Sequence, residues 1–584
     1  GATVGGMGFD ANVMVTTIGT AIADSYGSPA NNGASFNTAS VLENANKAMD
    51  AQQSGTSSSS DTVKGALHNE TTGIDVQDDS GVQAGNGTST GKGTQVSVTD
   101  STINTGEELA LSADRQTDAQ VTAASASLTS TIGMSATVAV LDADKKAGIT
   151  VEGSNLTAGT NLSAQARQHG ETAIDAYQAG LSGAAKLSAA YAQSSSSGST
   201  AISLKNSTLT AADAKSGNIA IQAEDTGATS SSVTGVTAAG LISGGALITK
   251  AENDSDTSVT LDGTTLTGKG AVSVESSKAN IVSAKTLGGA AGAMALQGVV
   301  AAAEDKGSST VALTGTNVLS GKELALTAKS TPQVVADATA YSGALVGAGG
   351  ASVATAKVGG KIQLTAAQGS SFTGDRVALS AFYGQQGDAS STYKNAKAKA
   401  IGNAAAIGGT IQANVATAEQ DTEVSVDLGK STYNADNLTI EGNNAAALDA
   451  TAKGVAIGGY FASGTNIANL TGNLTTNVAA KGATEGSALG TVRISSSGFG
   501  DLSGSADGTG GGLVTISPWA AKAKSALTTD TTTSISGGWQ AGSMEAVSAN
   551  SDDVDVTADS LSASVIGASG TQLDTTDLRN SNQA

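Results

Sequence analysis

The chain has no cysteine, three prolines and two histidines in 584 residues. Without cysteine there is no disulfide, no thiol nucleophile and no thiolate metal site. The same absence is compatible with an exported bacterial protein that stays unfolded until it has left the cell, where a premature disulfide would obstruct passage. The two histidines, His68 and His169, stand about a hundred positions apart in polar surroundings. Both read as exposed loop residues, and the abundance of Ser and Asp gives a Ser-His-Asp reading no signal. Aromatics make up 3% of the chain and charged residues 14%, so any core is thin. Basic residues number 30 against 51 acidic ones, a net charge of −21. That balance argues against a nucleic-acid partner, and no polybasic segment points to a membrane surface. No apolar run long enough to span a membrane, initiator Met or signal peptide is present, and the sequence starts and stops in mid-pattern at Gly1 and Ala584. An excised piece of a longer protein is the expectation.

What is plentiful is Gly, 75 residues, together with Ala, Ser and Thr, and it is arranged with a period. A ladder of alternating apolar pairs runs Val96/Val98, Ile149/Val151, Ile202/Leu204, Val259/Leu261, Val311/Leu313, Ile362/Leu364, Val424/Val426 and Val492/Ile494. From rung to rung the numbering advances by 53, 53, 57, 52, 51, 62 and 68. A second ladder follows each rung of the first: Leu109/Leu111, Leu162/Ala164, Ile219/Ile221, Val272/Val274, Leu324/Leu326, Val377/Leu379, Leu438/Ile440 and Val514/Ile516. Between them lie Gly106, Gly159, Gly268, Gly321 and Gly374. A fixed period of this kind marks units that bury their apolar face only by stacking on one another. The expected fold is all-β, a parallel β-solenoid, right-handed, with units of about 53 residues. With two coils per unit, about 11 units would give a rod on the order of 100 Å long.

Four strands are predicted in the unit from Val311 to Lys361: Val311 to Leu313, Leu324 to Ala328 after a turn at Leu319 to Gly321, Gln333 to Ala340, and Ala344 to Ala356. The last belongs to a family of small-residue segments, such as AAGLISGGALITKAE from Ala238 and LGGAAGAMALQGVVAAAE from Leu287. Their Ala content favours helix, while Gly-Gly pairs and interspersed Val and Ile favour strand. Strand is expected, with Ala on an inward face letting two sheets approach closely. If Ala351 faces inward, Leu there would overpack the coil. By region, residues 1–95 read as an irregular solenoid part with a polar insertion and a short helix at Val41 to Gln53. Residues 96–423 read as regular repeats, 424–540 as repeats with longer insertions, and 541–584 as a partial repeat.

The chemistry tests return little. No HExxH, GxSxG, Walker loop or dinucleotide fingerprint is present. The paired carboxylates Asp142/Asp144, Asp254/Asp256 and Asp552/Asp553/Asp555 sit in polar stretches as solvated loop acids, and Trp519, Trp539 and the eight tyrosines are dispersed rather than gathered into a sugar platform. Weak Ca²⁺ binding at acidic turns is the one cofactor the composition admits, since neither an EF-hand nor a GGxGxDxUx run occurs and GSADGTGGGL from Gly504 only loosely echoes one. The cluster Thr260, Thr264, Thr265 and Thr267 raises ice binding, but the positions equivalent to Thr260 vary among Ser97, Thr150, Ser203, Ala312, Gln363, Ser425 and Arg493. Asn-x-Ser/Thr sequons at Asn69, Asn86, Asn155, Asn161, Asn206, Asn253, Asn437, Asn469 and Asn473 follow largely from composition. No catalytic, cofactor-binding or metal-ligating residue is assigned.

Units such as VALTGTNVLSGKELALTA at Val311, followed by GALVGAGGASVATAK at Gly343, resemble the long repetitive surface adhesins of Gram-negative-type bacteria, the filamentous-haemagglutinin-like and leukotoxin-like filamentous adhesins. The resemblance covers most of residues 96–500 and is one of period and style. It implies a secreted right-handed parallel β-helix at the cell surface, often a stalk; the family's N-terminal secretion domain and C-terminal anchor are not seen in this sequence. The expected function is a non-catalytic structural and adhesive shaft whose partners are a host or bacterial surface ligand or copies of itself. The alternatives are a self-assembling extracellular fibre or matrix subunit and, last, a carbohydrate-active β-helix enzyme.

Overall fold

A computed structural model describes residues 2–18, 93–213, 217–384, 394–515, 520–567 and 570–584. Among them, 29 strands form one sheet and every strand pairing is parallel. The chain is a parallel β-solenoid. The small-residue segments are strands, and the four strands expected after Val311 appear as Ser309–Thr314, Val318–Ser320, Glu323–Ser330 and Gln333–Ala366. The third and fourth of the expected strands are thus one continuous strand, and the turn at Leu319 is itself a short strand.

Register decides how many coils a unit makes. Thr94 pairs with Ala147, and the same position continues through Thr200, Thr257, Ser309, Ile362, Val424, Thr476, Thr531 and Asn582. The numbering advances in turn by 53, 53, 57, 52, 53, 62, 52, 55 and 51. Each unit therefore closes one coil rather than two. Ten rungs at about 4.8 Å spacing rise about 43 Å, under half the length anticipated for the rod.

Two ladder assignments change with it. Val311 pairs with Leu364, not Ile362, a slip of two positions that leaves every side chain on its own face. Val492 and Ile494 pair with Leu438 and Ile440 and so extend the second ladder, while the first continues through Thr476 and Val478. Val514 belongs to neither, since it pairs with Phe461 and Ile566. After Val424 the numbering consequently advances by 52, 55 and 51. The longest step, 62, precedes these units and lies between Ile362 and Val424. At the start, Ala2–Ile18 is a strand stacked on residues 126–143; the helix expected at Val41 to Gln53 lies outside the described residues.

Each coil has two parts. Three short faces, exemplified by residues 200–205, Thr208–Ala211 and Ile219–Asp225, enclose a body core of Leu, Ile and Val. Leu156, Leu209, Leu266, Leu319, Phe372 and Tyr433 succeed one another at one position of that core. Phe372 stacks on Tyr433 at 5.4 Å and Tyr433 on Trp539 at 5.6 Å. Residues scattered in sequence thus form an aromatic pile along the axis, and burial pushes the Tyr433 hydroxyl up to about 12. Each fully buried Leu or Ile contributes about 1.5–3 kcal/mol relative to exposure.

From the body a fin projects. In one coil it runs outward along Glu171–Ser182 and returns along Ala185–Lys205, and its core is mostly Ala, with Leu and Val. Small inward side chains let the two arms approach closely enough for hydrogen bonds between them. Ser125 and Thr137 hydroxyls lie 2.6 Å apart, Ser188 and Thr237 2.7 Å, and Gln178 donates to the Ser135 carbonyl at 2.9 Å. The inward residues of the returning arm near Ala351 are Ser352 and Ala354, whereas Ala351 itself faces outward and is exposed.

Two backbone devices hold the coil. At one body corner Asp100, Gly153, Asn206 and Gly263 take positive φ of 46°, 59°, 46° and 56°, the region open to Gly, Asn and Asp. Ser154 and Ser207, each next after such a residue, turn inward and cap the rung before: Ser101 N donates to Ser154 Oγ and Ser154 N to Ser207 Oγ, and Asn317, two residues after Gly315, accepts likewise from Thr264 N. At the fin tip, a Cβ on Gly183 would run into the Ser130 carbonyl oxygen, and one on Gly240 into that of Gly183. Only glycine lets consecutive rungs close up there.

Candidate interaction surface

Between the two apolar cores runs a polar neck. Lys278 meets Asp305 at 2.9 Å with both side chains 0% exposed, and Asn253 donates to the same carboxylate at 2.5 Å. Asp225 accepts from the Ser255 hydroxyl and from Asn280 at 2.9 Å. Lys145 and Arg115 are buried beside them. Burial raises the Asp305 pKa against the opposing pull of Lys278. Burial also lowers that of Lys145, against the attraction of Asp225 and with the repulsion of Arg115. These groups are sealed inside, so the network fixes the register of neck strands rather than meeting a substrate.

Outside, acids and bases pair across rungs. Lys357 meets Glu419 at 2.6 Å, Lys361 Glu423 at 2.9 Å, Lys453 Asp507 at 2.9 Å and Arg167 Glu224 at 3.0 Å, each pair directly opposed in the ladder. Opposite charges on facing positions favour this register over a slipped one. The carboxylates singled out in sequence are spread among such contacts: Asp142 accepts from Ser195, Asp144 pairs with Lys146 at 2.9 Å, Asp256 accepts from Ser308 N at 2.7 Å, and Asp552 from Thr529 at 3.3 Å. Among the described residues no three His, Asp or Glu gather as a metal group. His169 lies 3.2 Å from Asp114 on the neighbouring rung; His68 lies outside the described residues. Of the sequons, Asn155, Asn161, Asn206, Asn437 and Asn473 are exposed, Asn469 is half-buried and Asn253 is buried in the neck, while Asn69 and Asn86 lie outside the described residues. The Thr260 position continues along the ladder as Ala312, Thr365 and Asp427, and Thr264 is buried, its N–H capped by Asn317 and its hydroxyl donating to the Leu204 carbonyl at 2.9 Å.

The distinctive surface is the outer face of the returning fin arm. Over seven rungs, from Ile132 through Ala185, Ile242, Met294, Gly347 and Gly409 to Phe461, the outward positions nearest the tip carry no charge. One of these columns reads Met134, Leu187, Gly244, Leu296, Gly349, Ile411. Leu187, Leu296 and Ile411 are 53%, 56% and 64% exposed, and between them runs an open groove of about 710 Å³ floored by Ala136, Ala189, Ala246, Gly298, Ala351 and Ala413. The tip adds exposed Leu241, Leu345, Val346, Ile407 and Tyr460. The opposite arm is apolar mainly near the tip, around a smaller groove of about 520 Å³ beside Val236, Tyr341 and Ile457. Toward the neck, Lys250, Glu252, Glu304, Lys357 and Glu419 replace the apolar residues.

The sequence contained a signal for this face that the ladders did not use. In ISGGALITK, from Ile242, both Leu247 and Ile248 are large and apolar, so both parities of the strand are apolar. That pattern belongs to strands covered on both sides. No family model, no curated protein and no solved structure matches this chain.

Proposed function

We propose that the chain is a non-catalytic structural and adhesive segment of a secreted bacterial surface adhesin, presenting a stacked body and fin to a host or bacterial surface ligand. The resemblance of the repeats supports this reading. The observation that carries it is the register: ten rungs stack in succession, and the outward acids meet bases across rungs. Such a surface holds a fixed shape and solvates well. The test is display of the chain on a non-adherent bacterium. Saturable attachment to host or bacterial cells, competed by the free folded chain, is expected; absence of attachment together with polysaccharide cleavage would favour the carbohydrate-active alternative.

A self-assembling extracellular fibre is the second reading. Its support is the uniform parallel pairing from rung to rung, a stacking geometry that a rung of a second copy could continue. Electron microscopy at low and high concentration, with and without calcium, separates the two: single particles support the shaft, axial filaments the fibre.

A further inference from the structure

We infer that the outer face of the returning fin arm is the seat of a second copy of this chain, packed face to face through a two-fold axis. The pairing is lateral, distinct from axial stacking, and stands whether or not the chain is adhesive.

Three observations carry it. First, size: seven rungs at about 4.8 Å and four outward positions on alternate residues make a flat patch of roughly 600–800 Å², close to the ~800 Å² per partner of a stable complex. Second, charge: the patch is uncharged while its neckward border holds Lys250, Glu252, Glu304, Lys357 and Glu419. A second copy brings the same uncharged area and the same mixed border, so no charge is buried unpaired. Third, relief: Leu187, Leu296 and Ile411 alternate along the axis with Gly244 and Gly349, a repeat of about 9.6 Å. An antiparallel copy carries the same repeat, which is what an isologous interface requires. A lipid surface fits less well, because a chain of net charge −21, whose border lysines Lys250 and Lys357 are paired with Glu252 and Glu419, gains little from anionic headgroups.

The test is sedimentation velocity of the intact chain over a concentration series. A dimer is expected below about 100 µM, and it strengthens with added salt as repulsion between two acidic copies is screened. The double variant L296K/I411K changes two exposed side chains, so at concentrations too low for pairing it keeps the wild-type melting curve, and it weakens pairing at least about tenfold. Tyr341→Lys, on the other arm, leaves pairing unchanged. Because the chain has no cysteine, Gly298→Cys on the middle rung of the patch gives a clean cross-linking site. A short bis-maleimide should join two such copies, and this arm stands even if the lysine variant does not fold. The inference is overturned if the wild type stays monomeric, if it pairs as strongly in the folded double variant, or if Gly298→Cys copies associate without cross-linking. It is also overturned if the chain remains monomeric and instead binds phosphatidylcholine vesicles through the same two residues.

Discussion

Lys278 and Asp305 show at the scale of single residues how the neck is held. Two ions taken from water recover their hydration only through each other and their hydrogen bonds, so losing one partner is costly. Lys278→Met is expected to lower stability by about 3–5 kcal/mol. The double variant K278M/D305L should recover most of that loss, the remainder arising because Asn253 loses its acceptor. Denaturant titration measures both. The pH dependence has a definite sign. Asp305 binds its proton more tightly in the native state, its pKa being raised from 3.8 by burial. Its contribution to stability therefore falls as pH rises from the ordinary carboxylate value through the raised one. Lys145 acts oppositely: its lowered pKa makes stability rise with pH between that value and the ordinary 10.5. In K278M/D305L the part of the acid-side slope that Asp305 contributes should disappear. None of this network was legible in the sequence, where Lys278 and Asp305 look like ordinary loop charges; only the fold brings them together across 27 positions of chain.

At the scale of elements, the fin arms are the part where packing is least forgiving. A Cβ on Gly235 would stand 2.8 Å from both terminal carbons of Leu247 on the facing arm. Gly235→Val is therefore expected to destabilise by about 1–3 kcal/mol through overpacking, while Ala351→Leu, on the outer face, leaves the unfolding midpoint unchanged. Thermal melts of the two variants check the assignment of faces. The strands themselves were readable from alternation, including the small-residue segments where Ala and Gly competed with Val and Ile. The parity of Ala351 was not, because both parities there carry small or apolar residues. The two-position slip at Ile362 has the same cause, since Ile362 and Leu364 are equivalent to a period-two pattern. At Thr476 the first ladder lost its apolar marker, and Val492/Ile494 of the second took its place in the reading.

For the whole molecule, the period was legible but its meaning in coils was not. Both ladders, the corner and the fin fit within a single advance of the register, such as that from Ala147 to Thr200, and repetition in sequence does not say how often the chain closes on itself. Register settles it at one coil, and modularity follows. Deleting residues 257–308 joins Asp256 to Ser309, which occupies the place of Thr257 one rung on. The shortened chain is expected to keep its circular-dichroism signal per residue and to melt within a few degrees of the parent. Deleting half as many residues should abolish cooperative melting, because it removes one wall of a coil. A coil that stores so much chain in so little height also shapes the response to load. Pulled along its axis, each rung that peels away gives up about 4.8 Å of folded height and releases about 180 Å of contour. Single-molecule extension should show a sawtooth with increments of about that length. Under shear the segment would act as an extensible tether that dissipates force one coil at a time.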